Sequence, residues 1–145
     1  MRIMKLFSRR HRAKKVVKDL GTGLWRQAHD RYVRGLDRYH QVIEGVADDA
    51  VHNRLVLIGD ELAEQLSEVH TLCSHAETEH PAEGMHVPGP ARDLHSALSK
   101  AANHLATAAE AAAMVRLGNA EVDAVRRRAD QVLACVEDAR RLGVA

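Results

Sequence analysis

Apolar residues recur along this chain at alternating steps of four and three. Between Leu94 and Val115 they fall at Leu94, Leu98, Ala101, Leu105, Ala108, Ala112 and Val115, a spacing that turns one stripe of an α-helix to one side. Ala97, Ala102, Ala106, Ala109, Ala111 and Ala113 widen this stripe into a small-residue surface, and alanine favours the helix because it loses no side-chain entropy there. A helix so poor in bulk must pack against neighbours that supply large side chains, since cores are filled to crystal-like density. The 24–46 stretch offers them. Trp25, Ala28, Tyr32, Leu36, Tyr39, Ile43 and Val46 share a helical face, with Trp25, Tyr32 and Tyr39 seven apart. A third helix is predicted over about 49–77, with Val51, Leu55, Ile58, Leu62, Leu66, Val69, Cys73 and Ala76 inward. A fourth is predicted over about 119–142, through Val122, Val125, Ala129, Val132, Val136 and Ala139.

Breaks between these helices follow from turn-forming residues. Gly21-Thr22-Gly23 weakens any helix running through it. Gly45, Asp48 and Asp49 mark a second break, with an aspartate as N-cap of the next helix. Pro81, Pro88 and Pro90 all lie between Thr78 and Pro90, together with Gly84 and Gly89, so no helix crosses that loop and Pro90 suits a first helical position. At Leu117-Gly118-Asn119 the signals conflict. The glycine and asparagine favour a turn, yet the four-and-three rhythm continues in phase through Gly118 to Val122. Four helices of similar length close a compact core, so the expected fold is all-α, an antiparallel four-helix bundle over 24–142 with a loop at about 78–90. The alternative is three long helices in an elongated dimer.

Composition narrows this further. With 46% hydrophobic residues and 145 positions, the chain suits one domain with a real core. Phe7, Trp25, Tyr32 and Tyr39 are its only aromatic residues of the Phe, Trp and Tyr kinds, so most of that core is aliphatic. Two cysteines, Cys73 and Cys135, are too few for a disulfide scaffold and are expected to be reduced. No apolar run approaches the ~20 residues of a membrane-spanning helix, and the N-terminus lacks an unbroken apolar stretch before a cleavage site. A cytoplasmic location is expected, and the arginine, alanine and valine usage fits a bacterial chain of high GC content.

The net charge of +1 hides a division. Residues 1–18 hold Arg2, Lys5, Arg9, Arg10, Arg12, Lys14, Lys15 and Lys18 and no acid, leaving 13 bases against 20 acids in the remainder. A basic N-terminal arm, residues 1–20 and helical from about residue 9, is thus joined to an acidic body. Lysines and arginines near an anionic bilayer contribute about 1 kcal/mol each, and Ile3, Leu6 and Phe7 supply an apolar second signal. The same charges suit phosphates of RNA or DNA, although nucleic-acid readers usually add stacking aromatics or a helix dedicated to a groove, and the acidity of the body opposes a polyanion.

Catalytic chemistry finds little footing. His70, Cys73 and Glu77 stand at one helical face and are ligand types for zinc or iron, but Cys73 also fills a core slot, where a thiol acts as a small hydrophobe. Glu77-Thr78-Glu79-His80 is a Glu-x-x-His sequence at the edge of the proline-rich loop, whereas a di-iron bundle carries two such motifs pointing inward from its helices. His95 and His104 lack the His-x-x-Lys-Gly context of phosphotransfer bundles. Arg126-Arg127-Arg128 is flanked by Asp123 and Asp130 at ion-pairing distance along a helix, and Glu61, Glu64 and Glu68 form an acidic ridge. The expectation is a non-enzymatic interaction or scaffold protein without a cofactor. Its basic arm would attach it to an anionic inner-membrane surface, and it would have a protein partner or self-associate. A metal-binding bundle enzyme built on His70, Cys73 and Glu77, and a nucleic-acid-binding bundle, are the alternatives.

Overall fold

A computed structural model describes residues 13–143. Every regular element among the described residues is a helix, and no strand forms there. Residues 13–20 form α1. It is followed by α2 (Leu24–Ile43), α3 (Asp49–Glu64), α4 (Leu66–Glu79), a 3-10 turn (Gly89–Ala91), α5 (Arg92–Arg116) and α6 (Val122–Gly143).

Helix ends are set by the residues that the sequence marks. Gly21 closes α1 with a φ of +68° and donates its N–H to the Val17 carbonyl at 3.0 Å, a left-handed cap open to glycine without steric cost. Asp48 caps α3 by accepting the Val51 N–H at 2.9 Å. Between α5 and α6, Gly118 has a φ of +77°, its N–H reaches the Val115 carbonyl at 3.0 Å, and the Asn119 N–H reaches Met114 at 2.8 Å. This is the paired 6→1 and 5→2 pattern of a Schellman motif. The heptad rhythm therefore survives across the turn, but the continuous helix that the three-helix alternative needs does not form. Asn119 belongs to this turn, and α6 starts at Val122 instead of about residue 119.

The helix expected over 49–77 is interrupted. α3 and α4 meet at Gln65, whose N–H reaches back only three residues to the Leu62 carbonyl at 3.3 Å. A side chain of α2 reaches the backbone at this point. Tyr32 Oη donates to that same Leu62 carbonyl at 2.7 Å, so the carbonyl is shared between the hydroxyl and the Gln65 N–H. Trp25 and Tyr39 act alike: Trp25 Nε1 donates to the His80 carbonyl at 2.9 Å and Tyr39 Oη to the Leu55 carbonyl at 2.6 Å. Positions 25, 32 and 39 thus pair with 80, 62 and 55 in reverse order, so α2 runs antiparallel to the α3–α4 segment.

These three aromatic side chains are fully or almost fully buried. On their other side α2 and α6 pack against α5, whose Ala101, Ala108, Ala109 and Ala112 are sealed from solvent. Bulk from α2 fills the space that the alanines leave, as their complementary sizes require. Leu20, at the end of α1, also enters the core with no exposure, which ties the basic helix to the body.

Candidate functional site

Lys14, Lys15 and Lys18 project from α1 into solvent, while Val16 leans on the body and Leu20 is buried in it. The exposed and inward positions follow the helical period, so α1 presents an outer face of lysines, with the 47%-exposed Val17 among them, and a narrow apolar inner one. Arg2, Lys5, Arg9, Arg10 and Arg12, with Ile3, Leu6 and Phe7, lie outside the described residues.

Under α1 runs a groove of about 650 Å³, bounded by Val16, by Arg26, His29 and Val33 of α2, and by Leu66 and His70 of α4. Its polar side chains form a connected set. Asp19 Oδ2 lies 2.9 Å from His70 Nε2, and His29 Nδ1 lies 2.9 Å from Asp30 Oδ1. Arg26 Nε donates to Asp30 Oδ2 at 2.9 Å, and the two imidazoles meet edge to face with centroids 5.4 Å apart. His29 is only 5% exposed, and burial holds its pKa below the ordinary histidine value, against the pull of Asp30. The hydrogen bond from His70 lowers the Asp19 carboxyl, with smaller help from the His70, Lys15 and Lys18 charges. Asp19 is thereby kept ionised, and it fastens the root of the cationic helix to α4.

The three residues considered as metal ligands have other engagements. His70 faces Asp19, and Cys73 has no exposure, with burial pushing its thiol up to about 12. The Glu77 carboxylate lies beside Gly21, where a Cβ would stand 3.1 Å from Oε1. Among the described residues no group of three or more His, Cys, Asp or Glu side chains is placed to hold a metal ion. Cys73 is protonated at neutral pH and packs as a small apolar residue.

Other charged residues are structural or simply exposed. Arg126 joins Glu61 of α3 and pairs with Asp130 at 2.8 Å, so one end of the acidic ridge is clamped to α6. Arg127 and Arg128 face solvent. His95 packs edge-on against Trp25 at 5.7 Å, and burial lowers its pKa. His29 was not singled out from sequence, although the signal is present: positions 25, 29, 32, 36, 39 and 43 also step by four and three. The Asp19–His70 pair joins residues too far apart in the chain for any local pattern to link them.

Compared with known proteins, the chain matches no family model, no curated protein and no solved structure.

Proposed function

We propose that this chain is a non-enzymatic interaction protein whose basic N-terminal segment attaches it peripherally to an anionic membrane surface. In this reading α3 and α4 act as one broken rod, and the body is an antiparallel four-helix bundle serving as a scaffold on the cytoplasmic face. The observation that carries the proposal is charge segregation: eight bases and no acid in residues 1–18, with Lys14, Lys15 and Lys18 exposed on a helix pinned at its root. No described helix is long and apolar enough to cross a membrane, so attachment would be electrostatic with an apolar supplement. Each base near the surface contributes about 1 kcal/mol, which a few inserted apolar side chains reinforce.

Flotation of the full-length protein with neutral and anionic liposomes tests the proposal, with competitor RNA in a parallel sample. The wild type is expected to float with anionic vesicles only and to stay bound in the presence of RNA. A variant with Arg9, Arg10, Arg12, Lys14 and Lys15 changed to glutamine is expected to stay at the bottom. Equal partitioning of the two proteins, or displacement by RNA, would overturn the membrane reading.

A further inference from the structure

The face opposite in character to the acidic body is a groove of about 750 Å³ along α5 and α6, bordered by Arg38, Ala111, Met114, Ala124, Arg127 and Arg128. Its floor is alanine and its rim carries three arginines; Glu110 is the only acidic side chain on it. Met114 is 43% exposed at its edge. On α3 the chain has the inverse feature. Leu57 is 65% exposed, the most exposed large apolar side chain of α2, α3 and α4. Asp60 and Glu64 are exposed one and two turns further along the same helical face.

We propose that this groove receives the Leu57–Asp60–Glu64 ridge of a second copy of the chain. Leucine is an apolar knob that a floor of small residues can admit closely, and the two carboxylates match the arginine rim. Withdrawing Leu57 and Met114 from water supplies an apolar contribution that neither side chain gains in the isolated chain. A second copy fits better than a flat bilayer, which cannot enter a recessed floor. It also fits better than nucleic acid, because the groove offers no aromatic side chain for bases and phosphates leave Leu57 and Met114 unused. The contact is heterologous, joining different patches of the two copies, so it closes into a pair only where each ridge meets the other's groove.

Sedimentation velocity of the full-length protein over a range of concentrations tests this. At low salt a faster species should grow with concentration, and it should dissolve at high salt, where exposed charges are screened. Reversing the rim (Arg127→Glu with Arg128→Glu) or the ridge (Asp60→Lys with Glu64→Lys) should each weaken association by about tenfold or more. Mixing the two reversed proteins should restore it, because a positive ridge then meets a negative groove. Leu57→Ala should weaken it as well. These positions are exposed, and circular dichroism of each variant checks that the helices persist. A single monomeric species at every concentration would overturn the proposal. So would association indifferent to both reversals, or association lost only when the N-terminal bases are neutralised. The last outcome would assign the contact to the basic arm, and it is independent of the liposome result.

Discussion

The hydroxyl of Tyr32 donates to the carbonyl of Leu62 at 2.7 Å, across two helices and at the point where α3 gives way to α4. A buried phenol would be costly without a partner, and a helix carbonyl normally serves the N–H four residues on. Here one contact satisfies the first and diverts the second. Tyr32→Phe should therefore destabilise the fold by about 1 kcal/mol, near the usual net value of a buried hydrogen bond. Urea unfolding followed by circular dichroism measures it. No loss would mean that the Leu62 carbonyl re-pairs along the helix once the hydroxyl is gone.

Tyr39 and Gly59 give a steric counterpart. A Cβ on Gly59 would stand 2.9 Å from Tyr39 Cε1, and that ring is buried with its hydroxyl bound to Leu55. Gly59→Ala gains up to about 1 kcal/mol of helix propensity, but overpacking typically costs about 1–3 kcal/mol. Net destabilisation is expected, and the double variant Gly59→Ala with Tyr39→Leu should recover part of it in the same urea assay. Stabilisation by Gly59→Ala alone would show that the ring can shift.

Acid should loosen the body through its buried His29 and half-buried His95. Burial lowers the His29 pKa in the folded chain from its ordinary value of 6.5. The unfolded chain then binds the proton more readily, so stability is fully present above 6.5 and falls as pH drops toward the folded pKa. His95 acts in the same sense. Melting temperature should decline as the pH is lowered from about 8 to about 5, and His29→Gln should flatten that decline relative to wild type. An unchanged slope in the variant would place the sensitivity elsewhere.

The two cysteines should be distinguishable by a thiol reagent. Cys135 is partly exposed, whereas Cys73 has no exposure and a thiol pushed up to about 12. One equivalent should react in the native protein, with the second appearing only in denaturant. Loss of the native equivalent in Cys135→Ser confirms the assignment; retention would show that Cys73 is reached through local opening.

The helix through Leu94–Val115 and its alanine surface are legible from spacing alone, because the period of an amphipathic helix is a local property. So are the breaks at Gly21 and Asp48 and the proline-rich loop. Gly118 is ambiguous for a physical reason: a Schellman turn left the next helix in heptad phase, so periodicity could not register it. The break at Gln65 is hidden because the apolar spacing continues through it, and the Tyr32 hydroxyl that meets the chain there lies 30 residues away from Leu62. At the candidate site, the cationic residues are plain in the sequence, and the seat that holds them is not. Asp19 and His70 are 51 positions apart, and His29 occupies a core phase where an apolar residue is the ordinary expectation. Arg126 was expected to pair along its own helix with Asp130, and it does, but its bond to Glu61 depends on how α3 lies on α6.

The three aromatic tips of α2 all end on main-chain carbonyls, at His80, Leu62 and Leu55. A carbonyl is the same acceptor whichever side chain its residue carries. Substitution at those three positions is therefore constrained by packing alone, while Trp25, Tyr32 and Tyr39 each answer to packing and to a bond. A change at a facing position leaves its carbonyl in place, whereas a change at Trp25, Tyr32 or Tyr39 removes a bond along with its packing.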